Sequence, residues 1–325
     1  MTGDGWPQWE TLPTDLLFPE VKEELVVEDV AEEVLPDPVI VLPRVPTKME
    51  MLVDLGVPTE GLAFDGKGNL FLSTTDGRIL KVTSALQVQE FVRLLPTDKP
   101  SMAGNAGLTL GPDNALYVAR YQADRIERVP LNDPSAVTVF LEGMDGPNSL
   151  LFDSEGTFWF TASGMDTDDG FVGRLDAEGN IVRVVEPVVY ANGLALTADR
   201  KTLYYTSTDP GSVHKVALTE ALVAGVPELV SDSANLSIAD GLLLVPANQA
   251  GEQGLLFAAG FGMGYVVGFV LNIGADMVVA SMPDDAIPVG TASLAWGRGA
   301  GFSRTTIYAT NLLQNGLYAV DLGEP

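Results

Sequence analysis

Six copies of one short phrase predict an all-β chain folded as a six-bladed β-propeller, four antiparallel strands to a blade, the ring closed by an N-terminal strand. The copies read Glu60-Gly61-Leu62, Ala106-Gly107-Leu108, Asn148-Ser149-Leu150, Asn192-Gly193-Leu194, Asp240-Gly241-Leu242 and Ala292-Ser293-Leu294. Their middle residues are separated by 46, 42, 44, 48 and 52 positions, a period that suits four-stranded blades. Each phrase is followed by strand–turn–strand chemistry rather than by helical periodicity. Residues 219–224 are the best short helical exception.

The first unit sets the pattern. Residues 61–64 form an apolar strand, Asp65-Gly66-Lys67-Gly68 a turn, and residues 69–73 a second strand. Thr75-Asp76-Gly77 turns again into residues 78–82. Later units repeat the second strand as Ala115-Leu116-Tyr117-Val118-Ala119, Thr157-Phe158-Trp159-Phe160-Thr161, Thr202-Leu203-Tyr204-Tyr205-Thr206 and Thr306-Ile307-Tyr308-Ala309-Thr310. Aromatic and β-branched residues between Asp-Gly or Glu-Gly turns belong in strands. Residues 254–275 carry no charge and are long enough to span a bilayer, but six glycines interrupt them. They read as a buried hairpin around Gly260-Phe261-Gly262-Met263-Gly264, with no membrane span.

The last unit ends after three strands, near residues 317–322. Residues 48–55 are therefore expected to supply the outer strand of the sixth blade, which removes an exposed edge. The propeller is expected to occupy residues 48–325. Residues 1–47 form an extension rich in proline and acid, with a strand candidate at residues 39–42.

Lysine and arginine total 18 against 44 acidic residues, a net charge of −26, which repels nucleic acid and anionic membranes and favours cations. The 46% hydrophobic content requires a real core beneath that acidity. The absence of cysteine removes disulfides, thiolate metal sites and a cysteine nucleophile. No basic segment followed by an apolar run opens the chain, so no signal peptide is expected in it. The compartment stays open, with a secreted or periplasmic setting slightly favoured. A monomer is expected.

The residue leading each phrase carries the chemistry. The innermost strand of a blade lines the central channel, and its first residue stands at the channel mouth. In order, the leading residues are Glu60, Ala106, Asn148, Asn192, Asp240 and Ala292. Two carboxylates and two amide oxygens, completed by water, suit Ca²⁺, with Mg²⁺ or Mn²⁺ as alternatives. Zn²⁺ is disfavoured without His or Cys ligands. Asn and Asp also cap turns, but four oxygen donors at one repeat position, beside two small alanines, point to a ligand site.

The stretches Glu60-Gly61-Leu62-Ala63-Phe64-Asp65, Pro147-Asn148-Ser149, Asn192-Gly193-Leu194 with Leu203-Tyr204-Tyr205, and Asp240-Gly241 resemble the SMP-30/gluconolactonase/luciferin-regenerating-enzyme-like family over about residues 50–322. The resemblance implies a channel metal held by Glu60, Asn148, Asn192 and Asp240. It also implies a dual ligand and catalytic role for Asp240, with Glu60 the second catalytic candidate. Sugar-lactone members carry an arginine two residues before the third-blade Asn. Gly146 stands there in this chain, a wording closer to members acting on other lactones or on phosphorus esters.

The expected reaction is metal-dependent hydrolysis of a lactone or related ester, a small-molecule substrate. A bound cation polarises the carbonyl, and a carboxylate activates water or attacks. The turns at the channel mouth offer a largely apolar substrate pocket of Tyr121, Met165, Phe261, Met263, Tyr265, Asn311 and Leu312, with Trp296 deeper in the channel. Asp166, Asp168 and Asp169 form either a second Ca²⁺ site or a solvated loop. The lone His214 reads as structural, and with one histidine neither a histidine dyad nor a channel-mouth serine triad is available. Two other classes stay open: a phosphotriesterase, lyase, cyclase or isomerase on the same site, and a non-catalytic binding propeller.

Overall fold

The computed structural model describes residues 40, 42–94, 104–165, 169–245, 254–271, 274–284 and 288–323. Within them lie six antiparallel sheets whose innermost strands touch their neighbours all round a ring. The first blade comprises Thr59–Phe64, Asn69–Thr74, Arg78–Thr83 and Val88–Arg93. The second comprises Leu108–Leu110, Ala115–Arg120, Arg125–Pro130 and Thr138–Glu142. Pro147–Phe152, Phe158–Ala162, Phe171–Leu175 and Ile181–Val185 make the third. Ala191–Leu196, Thr202–Ser207, Ser212–Ala217 and Glu228–Ser231 make the fourth. The fifth holds Ala239–Leu244, Leu255–Gly260, Tyr265–Val270 and Ala275–Ser281. The sixth holds Thr291–Trp296, Thr306–Asn311 and Gly316–Asp321.

The expected closing strand is present. Glu50–Asp54 pairs antiparallel with Gly316–Asp321 and completes the sixth blade. An addition lies just ahead of it, across the expected boundary between the extension and the closing strand. Thr47–Lys48 pairs parallel with the outer strand of the fifth blade, and the Met49 N–H donates to the Ser281 carbonyl at 2.8 Å. Met49 is buried between the fifth and sixth blades, beside Tyr318 and Val279. One short segment therefore ties two blades together and covers both their edges.

Alternation along each strand packs the blades against one another, because successive side chains face opposite neighbours. On Asn69–Thr74, Leu70 and Leu72 join a core shared with Phe302, Tyr308 and Leu317 of the sixth blade. Phe71 points the other way, into a core with Leu108, Leu116 and Val118 of the second. Both faces of a second strand are thus buried, which is why these strands read as unbroken apolar runs. Turns between first and second strands are fixed by side-chain caps: the Asp65 carboxylate accepts from the N–H groups of Lys67 and Asn69, and Asp153 does the same for Glu155 and Thr157.

The best helical candidate is no helix. Residues 219–224 form a turn closed by a bridge between Leu218 and Ala224, with Leu222 in the left-handed region at φ 59°. Six residues are too few to sustain a helix without a packed face.

Candidate metal centre at the channel mouth

The innermost strands are bulged where the repeated phrase begins. Pairing with the second strand breaks register between Thr59 and Leu62, Pro147 and Leu150, Ala191 and Leu194, Ala239 and Leu242, and Thr291 and Leu294. In every case the bulge holds the leading residue and the Gly or Ser after it. A bulge re-aims side chains, and here it frees Glu60, Asn148, Asn192 and Asp240 from the blade-to-blade alternation. The glycine that follows Glu60, Asn192 and Asp240 is required by close approach. A Cβ on Gly61 would lie 2.6 Å from the Ala106 carbonyl oxygen, and one on Gly241 would lie 2.8 Å from that of Ala292.

Four carbonyls of the leading residues are held by hydroxyls from the preceding blade. Gly61 N–H donates to Ser73 Oγ, which donates to the Ala106 carbonyl at 2.6 Å. The N–H of Ser149 donates to Thr161, which donates to the Asn192 carbonyl at 2.6 Å. Gly193 N–H donates to Thr206, which donates to the Asp240 carbonyl at 2.8 Å. Thr310 accepts from the Ser293 N–H and donates to the Glu60 carbonyl. The second blade has Ala119 at the hydroxyl position, and the Gly107 N–H reaches the Asn148 carbonyl directly at 3.0 Å. Each candidate ligand therefore has its backbone fixed by the blade before it.

All four side chains are buried: Glu60 is 5%, Asn148 5%, Asn192 6% and Asp240 6% exposed. Asn192 hydrogen-bonds the Asp240 carboxylate, and its Nδ2 donates to Thr208 Oγ1 at 3.2 Å. Asn148 Nδ2 reaches Ser163 Oγ at 3.5 Å. Thr208 and Ser163 themselves donate to the carbonyls of Ala239 and Ala191. Burial, and then the Asp240 charge, push the Glu60 carboxyl well above its ordinary range. Burial pushes Asp240 up from 3.8 to about 8 against the opposing hydrogen bond from Asn192. Glu60 Oε2 has no hydrogen-bond partner, and among the described residues neither carboxylate has a Lys, Arg or His partner. Two buried carboxylates without a cation are costly, and hard oxygen donors are the set a divalent cation takes. The residues present fit such an ion.

The pocket candidates divide. Tyr121 lies at the site, its hydroxyl 2.9 Å from Tyr190 Oη and 3.1 Å from Met165 Sδ. Met165 and Met263 are exposed at turns on the mouth side, and Phe261 lies close to Gly290 in the sixth blade. Tyr265 is half-buried and packs into the core between the fourth and fifth blades. Leu312 is fixed by its N–H to the Gly290 carbonyl. Asn311 caps its own turn, with Oδ1 accepting from the N–H groups of Leu313 and Gln314. Trp296 ends the innermost strand remote from Ala292 and packs edge-on against Phe257, ring centroids 5.8 Å apart. It belongs to the core between the fifth and sixth blades.

His214 sits on a third strand, stacked on Tyr205 and 2.9 Å from Ser212 Oγ. Of the acidic loop, Asp166 and Asp168 fall outside the described residues, while Asp169 is gripped by Arg183 through both guanidinium nitrogens at 2.7 Å. The residues missed in the sequence are Tyr190, Ser163 and Thr208. A recurrent hydroxyl two places beyond the end of the second-strand echo was the available signal for the latter two.

Among the described residues no helix is long and apolar enough to cross a membrane. Comparison with curated proteins finds Lactonase drp35 of Staphylococcus aureus (strain USA300), 27% identical over 185 residues, which are 51% of this chain and 52% of that protein. The chain thus spans about half the length of the curated relatives it matches. Among solved structures, a gluconolactonase from Xanthomonas campestris superposes with a TM-score of 0.67 at 17% identity, covering 89% of this chain and 99% of that one. Regucalcin from Agrobacterium tumefaciens, described as a calcium-binding protein, superposes with a TM-score of 0.64 at 15% identity, covering 89% and 96%. At these identities the two structures establish the shared fold. The model of the SMP-30/gluconolactonase/LRE-like region matches residues 59–310, and the chain belongs to that family.

Proposed function

We propose that this protein is a divalent-cation-dependent hydrolase of lactones or related esters, with Ca²⁺ as the ion that best suits its donors. The observation that carries the reading is the pair of buried carboxylates, Glu60 and Asp240, with two buried amides at the same repeat position and, among the described residues, no cationic side chain to neutralise them. Glu60, Asn148, Asn192 and Asp240 would hold the ion. When bound, a divalent cation polarises a carbonyl oxygen and eases deprotonation of water.

The chain's own residues do the rest. Asp240, held at its carbonyl by Thr206 and at its carboxylate by Asn192, takes the proton from water or attacks the acyl carbon. Glu60 is the second candidate for that role. Ala106 and Ala292 leave the remaining sector of the ring open to substrate. Met165, Val189, Ile238 and Met263 are exposed at turns of the third, fourth and fifth blades, and they give the mouth an apolar rim suited to an aromatic or alkyl lactone. The curated relative's name, a lactonase, points the same way.

The test is a metal analysis followed by assays of aldonolactones, aromatic lactones and phosphotriesters with and without chelator. The reading expects bound Ca²⁺ and chelator-sensitive turnover of an aromatic lactone. Activity indifferent to chelation would overturn it.

A further inference from the structure

The residue two places before the candidate ligand is left-handed in three consecutive blades: Gly146 at φ 60°, Tyr190 at φ 50° and Ile238 at φ 57°. Only glycine takes that conformation without strain, and for a bulky or β-branched residue it is a true outlier. Such outliers persist where the side chain is needed in one place. In the third blade the absence of a side chain serves a neighbour. A Cβ on Gly146 would lie 3.0 Å from the ring of Tyr121, so Gly146 gives Tyr121 the room to reach Tyr190. Their hydroxyls are 2.9 Å apart.

We propose that Tyr190, held by Tyr121, is the hydrogen-bond donor to the substrate oxygen at this site. Two phenols in mutual contact use one O–H between them and keep one to spare. Tyr121 also has the Met165 thioether at 3.1 Å, a weak acceptor, and the Ser163 hydroxyl as neighbours. Tyr190 lines a cavity of about 180 Å³ with Ser163, Met165, Val188, Val189 and Asp209, and the Glu60 and Asp240 charges both act on its phenol. Ser163, which lines the same cavity, is 3.5 Å from Nδ2 of the candidate ligand Asn148, so the cavity that Tyr190 faces adjoins the ligand set, where oxygen charge builds as an acyl carbon is attacked. The donation transfers no proton, so the phenol stays neutral throughout. Tyr121 is a positioning residue, acting through Tyr190.

The proposal rests on the hydrolase reading for its rate effect and is separable from it by binding. The full chain, loaded with Ca²⁺, is assayed with dihydrocoumarin and titrated calorimetrically with its ring-opened product, 3-(2-hydroxyphenyl)propanoate. Tyr190→Phe should lower kcat about 100-fold. Product affinity should fall about tenfold, with Ca²⁺ affinity unchanged. Tyr121→Phe should lower kcat less, and the double variant should be no worse than Tyr190→Phe alone. Wild-type kcat and product affinity in Tyr190→Phe would overturn the proposal and leave the hydrolase reading standing. No turnover in the wild type, with product binding that Tyr190→Phe weakens, would support the donor and overturn the hydrolase reading. No turnover and no product binding in the wild type would overturn both.

Discussion

The second and fourth blades share one ladder, one turn pattern and one phrase, yet they bring different chemistry to the channel mouth. The fourth blade sets Asn192 on its bulge, links Thr206 to the next blade's Asp240 carbonyl, and places Thr208 against the Asn192 amide. The second blade has Ala106, Ala119 and Tyr121 in those same three places. Its frame survives without the hydroxyl because the Gly107 N–H reaches the Asn148 carbonyl itself. Backbone geometry therefore makes the repeat, and three side-chain positions per blade distinguish the blades proposed to bind an ion from those that do not. Removing them one at a time separates their contributions.

The largest effect is expected at the ligand itself. Asp240→Ala should cut turnover by about 10²–10⁴-fold and abolish Ca²⁺ binding, with the β-sheet circular dichroism unchanged. Thr208→Val removes the acceptor that steadies the Asn192 amide and, with it, one donor to the Ala239 carbonyl. Ca²⁺ affinity should fall about 10- to 100-fold, with a smaller stability loss than in Thr206→Val. Thr206→Val leaves the Gly193 N–H and the Asp240 carbonyl without their shared partner. Denaturant titration should show a loss of about 1–3 kcal/mol. If Thr206→Val and Thr208→Val gave the same profile, the distinction between frame and ligand support would fail.

The metal-free protein carries the same contrast into pH. A carboxyl pushed up from 3.8 to about 8, as Asp240 is, keeps a proton in the fold that the unfolded chain has already released. Unfolding then releases protons, so stability falls as pH rises through that window, and the raised Glu60 acts in the same direction. Ca²⁺ must displace these protons, so its affinity should climb over the same range and level off above it. Calorimetry in two buffers of different ionisation enthalpy reads the proton release directly. The smallest effect belongs to His214→Gln on an outer strand, where turnover should be unchanged.

The sequence carried the ring, and the buried polar residues proposed as ligands, because both repeat. Glu60, Asn148, Asn192 and Asp240 recur at one position, and the glycine after Glu60, Asn192 and Asp240 is forced by the neighbouring carbonyl. The closing strand was legible because the sixth unit lacked one. Tyr190, Ser163 and Thr208 escaped because their roles exist only between blades: Ser163 matters through Asn148, Thr208 through Asn192, and Tyr190 through Tyr121 from a blade two places away. Trp296 was misread for a related reason. Proximity to a phrase says nothing about which end of the strand a side chain occupies, and residue 296 is at the far end.

Calorimetric titration of Ca²⁺ into the chelator-stripped chain, beside its Asp240→Asn variant, tests the four-blade site most directly. The account expects one ion per chain in the wild type, proton release on binding near neutral pH, and no binding in the variant. Equal binding by the two proteins, or none by the wild type, would contradict it.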